Sequence, residues 1–197
     1  MEKNRLSRRH IIQTGLALSL TSSAGSAFGG IETMPLTPAC GVDSKLTQPQ
    51  TPGPFFTPDT PLRNDFRGDG SGGQEMTVSG FVTDQQCRPL ANAQVELWHA
   101  GPDGRYDNQG FKFRGHSFTD DKGRYDFATL VPGLYPGRTR HFHVKIRPVD
   151  GPWLTSQLYF PGESANNVDG IFDKHLIMAI SQAGTLIRAR FDFVVRA

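Results

Sequence analysis

Cysteine is scarce in this sequence, with two in 197 residues, Cys40 and Cys87. Two thiols make neither a disulfide scaffold nor a four-thiolate zinc site. Long apolar runs are missing too. None approaches the ~18 residues of a membrane-spanning helix, so no stable membrane span is expected. Charge of one sign is also lacking: 21 Lys and Arg stand against 19 Asp and Glu, a formal +2. That balance excludes a nucleic-acid clamp, and 37% hydrophobic residues exclude wholesale disorder. Present in quantity are 22 Gly, 14 Pro and 14 Phe. Many turn-formers and few helix-favouring stretches point to a loop-rich, all-β domain. The length suits one ordinary domain with extensions.

The basic excess is localised. Residues 1–27 open with Lys3, Arg5, Arg8 and Arg9, pass through the short apolar stretch Leu16-Ala17-Leu18-Ser19-Leu20, and end in small residues. That order belongs to an export signal rather than to a fold. Ser7-Arg8-Arg9-His10-Ile11-Ile12-Gln13 resembles the twin-arginine motif, with Gln13 where Lys is commoner. The competing reading is an amphipathic helix that happens to carry two arginines. Removing four basic residues and one acidic residue from 21 and 19 leaves 17 and 18, a net of −1. Export, to the periplasm or beyond the cell, would put Cys40 and Cys87 where they could pair. The sequence leaves open whether they do.

Residues 28–75 are rich in Gly, Pro, Thr and Asp and lack periodicity, which predicts an extended arm. Within it, Phe55 and Phe56 follow Thr51-Pro52-Gly53-Pro54 and are expected to dock on the domain. Over 76–197 the pattern becomes short alternating runs. Strands are expected at Thr77–Val82, Gln94–His99, His116–Thr119, Arg124–Phe127, His141–Arg147, Gln157–Phe160 and Arg188–Val195, with a short helix near Ile171–Ala179. Seven strands at this spacing predict an antiparallel sandwich or barrel, and the fold expected is an all-β, antiparallel β-sandwich with long loops.

The chemistry concentrates in Arg138-Thr139-Arg140-His141-Phe142-His143. On a strand, His141 and His143 share one face while Phe142 points to the other. Two imidazoles side by side are half of a metal site. Nearby carboxylates look unpromising, since Asp150 follows Pro148 in a turn and the other acids cluster in loops. Tyr135, six residues upstream in a stiff loop, and Tyr106, ending the loop after a strand, are better candidates. A phenol with a pKa of ~10 needs a strongly Lewis-acidic ion to ionise at neutral pH. Ferric iron fits that need better than Zn²⁺ or Mg²⁺. Trp98, Tyr125 and Tyr159 read as packing residues, Asp103 and Asp107 as turn residues, and His99, His116 and His175 as surface or hydrogen-bonded histidines.

From Thr51 to Arg196 the sequence resembles the catalytic domain of intradiol ring-cleavage dioxygenases, of the protocatechuate 3,4-dioxygenase and catechol 1,2-dioxygenase type. The matching stretches include Pro89-Leu90-Ala91-Asn92-Ala93-Gln94-Val95-Glu96-Leu97-Trp98, Gly104-Arg105-Tyr106, Phe113-Arg114-Gly115 and Pro132-Gly133-Leu134-Tyr135-Pro136. Arg138 ahead of His141-Phe142-His143, and Leu154 through Gly162, complete them. The resemblance implies non-haem Fe(III) held by Tyr106, Tyr135, His141 and His143. It also implies a catechol-type substrate and O2, and a muconate-type diacid product. Tyr135 matches the tyrosinate that leaves when substrate chelates, Arg138 the arginine beside the substrate ring, and Gln157 a polar residue near it. Pro52 departs from the family, where a Glu is common, which bears on the pocket entrance.

Residues Val78–Tyr135 also resemble non-catalytic transthyretin-like β-sandwich modules, a binding or adhesion reading that leaves Arg138, the histidine pair and Gln157 unexplained. No nucleic-acid partner is expected. The sequence leaves open a homo-oligomer or pairing with a related chain, and does not name the catechol.

Overall fold

The computed structural model describes Met34 and residues 45–197. The expected export signal and Cys40 lie outside the described residues. Among the described residues nine strands run in chain order: β1 Glu75–Thr83, β2 Gln94–Trp98, β3 Arg114–Phe118, β4 Arg124–Leu130, β5 His141–Arg147, β6 Leu154–Tyr159, β7 Ala179–Ala183, β8 Leu186–Arg190 and β9 Phe193–Val194. They form two sheets, β4-β1-β8-β7 with β9 also on β1, and β3-β2-β5-β6. The expected sandwich is therefore present. Alternation along the strands builds its interior: Val95 and Leu97 of β2, Phe142, Val144 and Ile146 of β5, and Leu158 of β6 are all buried against Val78, Phe127, Phe191 and Phe193. Each such side chain contributes about 1.5–3 kcal/mol by leaving water.

Pairing is not wholly antiparallel, because β1 pairs in parallel with β8 through Met76–Ser79 and with β9 through Val82–Thr83. The expected strand over Arg188–Val195 is accordingly broken in two. At the break Phe191 donates its N–H to the Ser79 carbonyl, and the Asp192 carboxylate accepts from the Phe81 N–H. Gly80 makes this crossing possible, since a Cβ there would lie 1.8 Å from the Phe191 carbonyl oxygen.

The expected helix near Ile171–Ala179 does not form. A single 3-10 turn covers Lys174–Leu176, capped by the Asp173 carboxylate on the His175 N–H, and β7 follows at Ala179. Sheet pairing wins over helix here: Ile177 bridges Tyr159, and the Met178 N–H bonds the Tyr159 carbonyl, burying Leu176 and Met178.

The arm from residue 45 is stitched to sheet edges. Gln50 N–H bonds the Thr155 carbonyl of β6. Thirteen residues later the Arg63 N–H bonds the His116 carbonyl of β3, the opposite edge of that sheet. Phe66 then bonds Ala128 of β4, an edge of the other sheet, and is itself fully buried. Between Gln50 and Arg63 the arm thus crosses the outer face of β3-β2-β5-β6, and it occupies three strand edges that would otherwise be open to pairing. Cys87 is disulfide-bonded.

Candidate metal centre

The site lies on the outer face of β3-β2-β5-β6, beneath the arm. His141 and His143 project from β5 on the side opposite Phe142, as strand alternation requires. In the register, His143 sits between Trp98 of β2 and Gln157 of β6, while His141 faces Tyr159. Trp98 therefore does more than pack: its ring stacks on His143 at 4.9 Å and 7°.

Two loops bring the tyrosines. The turn after β2 carries Tyr106, and the segment before β5 carries Tyr135. Their main chains touch: the Gly133 N–H bonds the Gly101 carbonyl, and a Cβ on Gly104 would lie 2.3 Å from the Leu134 carbonyl oxygen. The glycines at 104 and 133 thereby place the Tyr106 and Tyr135 rings 5.8 Å apart. Asp103 and Asp107 shape the first loop by accepting main-chain N–H bonds, the first from Arg105 and the second from Gln109, Gly110 and Lys112. Phe55 of the arm stacks on Tyr106 at 4.6 Å and meets Tyr135 edge-on at 5.3 Å. Arg114, 1% exposed, fastens these pieces by donating to the Phe55 and Asp107 carbonyls.

Three donor atoms converge. Tyr106 Oη is 3.2 Å from His141 Nε2, which is 3.1 Å from His143 Nε2. His141 Nδ1 donates to the Thr139 carbonyl at 2.6 Å, leaving its Nε2 with a free lone pair. Burial lowers the His141 pKa to about 4, with the Arg138 charge adding to it. Burial and then the neighbouring His141 and Arg138 hold His143 well below its ordinary value. Both imidazoles are neutral at pH 7. Burial pushes the Tyr106 phenol up, against the opposing pull of Arg138 and Arg114. Among the described residues, His143 Nδ1 and Trp98 Nε1 are buried without a hydrogen-bond partner.

This donor set fits a metal ion. Ligands at ~2.1 Å from one ion and at right angles to each other stand about 3 Å apart, the separation seen between these atoms. Among the described residues no cluster of three or more His, Cys, Asp or Glu could hold a metal. A metal held here would take the Tyr106 phenol as well as imidazole nitrogen, and a protonated, desolvated phenol would ionise only for a hard, strongly Lewis-acidic cation.

Arg138 and Gln157, expected near the site, are bonded to each other at 2.7 Å, and Gln157 Nε2 donates to the Thr51 carbonyl of the arm. Sequence reasoning missed Asp169. Its Oδ2 accepts from Arg138 Nε at 2.8 Å and from the Thr139 N–H at 2.9 Å. Asp169-Gly170 reads as a turn, and no local signal announces a contact across 31 residues. Tyr159 is buried as expected and donates to Gln50 Oε1. His99 is hydrogen-bonded to Ala100 and Thr129, His116 lies 3.3 Å from Thr60 Oγ1, and His175 pairs with Asp173; none joins the cluster.

The fold and site define a two-layer β-sandwich with two tyrosines and a His-x-His pair on one face. Residues 51–196 match the family model described as Dioxygenase, and the chain belongs to that family. Its similarities are specific. The dioxygenase domain of a dioxygenase carbohydrate-binding protein fusion from Streptomyces sp. SirexAA-E is 45% identical, with a TM-score of 0.75, over 78% of this chain and 99% of that domain. The beta chain of protocatechuate 3,4-dioxygenase from Burkholderia cepacia is 34% identical over 63% of this chain and 65% of its own length. Hydroxyquinol 1,2-dioxygenase from Corynebacterium glutamicum is 37% identical over 73% of this chain and 61% of its own. The chain thus spans somewhat less than two thirds of these curated relatives. The relatives favour the dioxygenase reading over a non-catalytic transthyretin-like module.

Proposed function

We propose that this chain is an Fe(III)-dependent intradiol dioxygenase. It opens the ring of a catechol-type diol with O2, between the two hydroxyl-bearing carbons, to give a muconate-type diacid. The observation that carries the reading is the convergence of Tyr106 Oη, His141 Nε2 and His143 Nε2. Family membership and the names of the relatives support it.

In this reading Tyr106, Tyr135, His141 and His143 hold the iron. Bound there, ferric iron supplies the Lewis acidity that ionises phenols and diol at neutral pH, and the electronic coupling that lets the ring react with O2. His141 and His143 are already neutral and bind without losing a charge-bearing proton. Tyr106 gives up its Oη proton on binding. Tyr135 Oη would accept a proton from a substrate hydroxyl as the diol binds. Arg138 stabilises negative charge developing on the ring, with Gln157 holding one end of the guanidinium. Phe55 covers the Tyr106 ring and excludes water from that side.

The test is oxygen uptake across a panel of catechol, hydroxyquinol and protocatechuate, with iron analysis and products resolved as intradiol or extradiol. Intradiol diacids from iron-loaded protein are expected, whereas extradiol products or iron-free, colourless protein from iron-replete cells would sink the reading.

We further propose that the protein is exported by a twin-arginine route. The Arg8-Arg9 motif supports this, and a disulfide-bonded Cys87 suits an oxidising compartment. Replacing both arginines with lysine should leave the protein inside the cell, and continued export would refute the route.

A further inference from the structure

The segment leading into the histidine strand is gripped by one loop. Arg138 Nε donates to Asp169 Oδ2 at 2.8 Å, and the Thr139 N–H donates to the same oxygen at 2.9 Å. Thr139 Oγ1 donates to Asn166 Oδ1 at 2.6 Å, and Arg140 Nε donates to Glu163 Oε1 at 2.7 Å. Three consecutive residues, each held by the stretch 163–169, are the last before His141. The Asp169 carboxyl is 2% exposed, so its charge is screened little by water. The Ile171 N–H occupies its second oxygen, so the carboxylate is fixed from both sides and cannot swing. The guanidinium it holds is fixed again at Nη2 by Gln157. Two anchors on different nitrogens define the plane of a rigid fork, where one would leave it free to rotate. The neighbouring Thr139 carbonyl, in turn, sets the His141 tautomer by accepting from Nδ1.

We propose that Asp169 is a positioning residue that fixes the plane of the Arg138 guanidinium. The inference rests on the dioxygenase reading for its kinetic consequence alone, because the geometric consequence stands without it. Removing the carboxylate frees Nε of Arg138, and the guanidinium rotates away from Gln157. Displacements on the order of 1 Å cost ~100-fold in rate, so Asp169→Ala should lower kcat by about that factor with KM changed far less.

The experiment pairs crystallography with kinetics. In Asp169→Ala, and in Asp169→Leu should the former fold poorly, the Arg138–Gln157 hydrogen bond is expected to be lost while iron content is kept. An unmoved guanidinium would overturn the proposal whatever the activity. Arg138→Ala and the double variant Arg138→Ala/Asp169→Ala should then have the same kcat, since Asp169 acts through Arg138. Multiplying losses, or iron falling in step with activity, would make Asp169 an independent or merely structural residue and sink the idea. Asp169→Glu should recover part of kcat, and no recovery beyond Asp169→Ala would count against positioning. If the unaltered protein cleaves no catechol, the dioxygenase reading fails, while the crystal structures still decide what Asp169 does.

Discussion

Tyr106 shows how burial and charge act on one side chain. Its hydroxyl is withdrawn from water, which disfavours the anion, while Arg114 and Arg138 nearby favour it, and burial prevails. The phenol is therefore protonated until a cation takes the proton's place, and the ionised form marks the loaded centre. If the chain holds Fe(III) as proposed, Tyr106→Phe should remove most of the red-brown tyrosinate-to-iron absorption and reduce bound iron, read by visible spectroscopy and metal analysis. An unchanged spectrum would take Tyr106 out of the ligand set. Arg114 acts on the same residue from beneath. Its guanidinium bonds two main-chain carbonyls, one on the arm and one on the Tyr106 loop. Charge-assisted bonds of this kind contribute about 1.5–3 kcal/mol each. Arg114→Met keeps most of the volume and removes these bonds. It should lower the urea midpoint and expose the stretch around Phe55 to protease; resistance equal to that of the unaltered protein would show that the arm is held without Arg114.

Elements with a strong period were legible in the sequence, and those built by long-range pairing were not. Strand β5 matched its expected bounds, since three large apolar residues alternate with His141, His143 and Lys145 over seven positions. Strand β7 was missed because Ala179-Ile180-Ser181-Gln182-Ala183 offers little contrast, and the Ile171–Ala179 stretch bonds to Tyr159, which local pattern cannot foresee. The same division runs through the site. The histidine pair and the tyrosines stand out by residue type and spacing, and Arg138 only through the family resemblance. Asp169, Arg114 and the stacking role of Trp98 depend on which strands and loops lie side by side. So does the break between β8 and β9. Gly80 permits it by admitting the Phe191 carbonyl where a side chain would stand, and that carbonyl also accepts from Tyr125 Oη at 2.7 Å. Gly80→Ala forces backbone apart within the sandwich and should cost about 2–3 kcal/mol. Thermal and urea unfolding check this, and a loss under half of that would mean the two strands can separate freely.

At the scale of the whole molecule, stability should depend on pH in a definite direction. His99 is fully buried between the sheets, with Nδ1 donating to the Ala100 carbonyl and Nε2 accepting from Thr129 Oγ1. Burial lowers its pKa to about 4, against an ordinary 6.5. Between these values the unfolded chain binds a proton that the folded chain refuses, so stability is full above pH 6.5 and falls as the pH drops towards 4. A displacement of that size corresponds to about 3 kcal/mol. Asp84, Asp107 and Asp169 act in the same sense at lower pH. For Asp84 and Asp169 burial raises the pKa, but main-chain N–H bonds and the Arg88 or Arg138 partner outweigh it. For Asp107 the N–H bonds from Lys112 and Gln109 lead. All three carboxyls sit below their ordinary range, so protonating them continues the loss once His99 has charged. Buried His141 and His143 act in the same sense as His99, whereas burial raises Glu96 and Asp126, which oppose the loss near the carboxylate range. Urea unfolding at steps from pH 7.5 to 5.5 should therefore show a steady decline in free energy. His99→Gln, which keeps a donor and an acceptor but cannot charge, should be less stable at pH 7.5 and decline less steeply through the window. A variant with the parent's slope would place the titrating group elsewhere in the molecule.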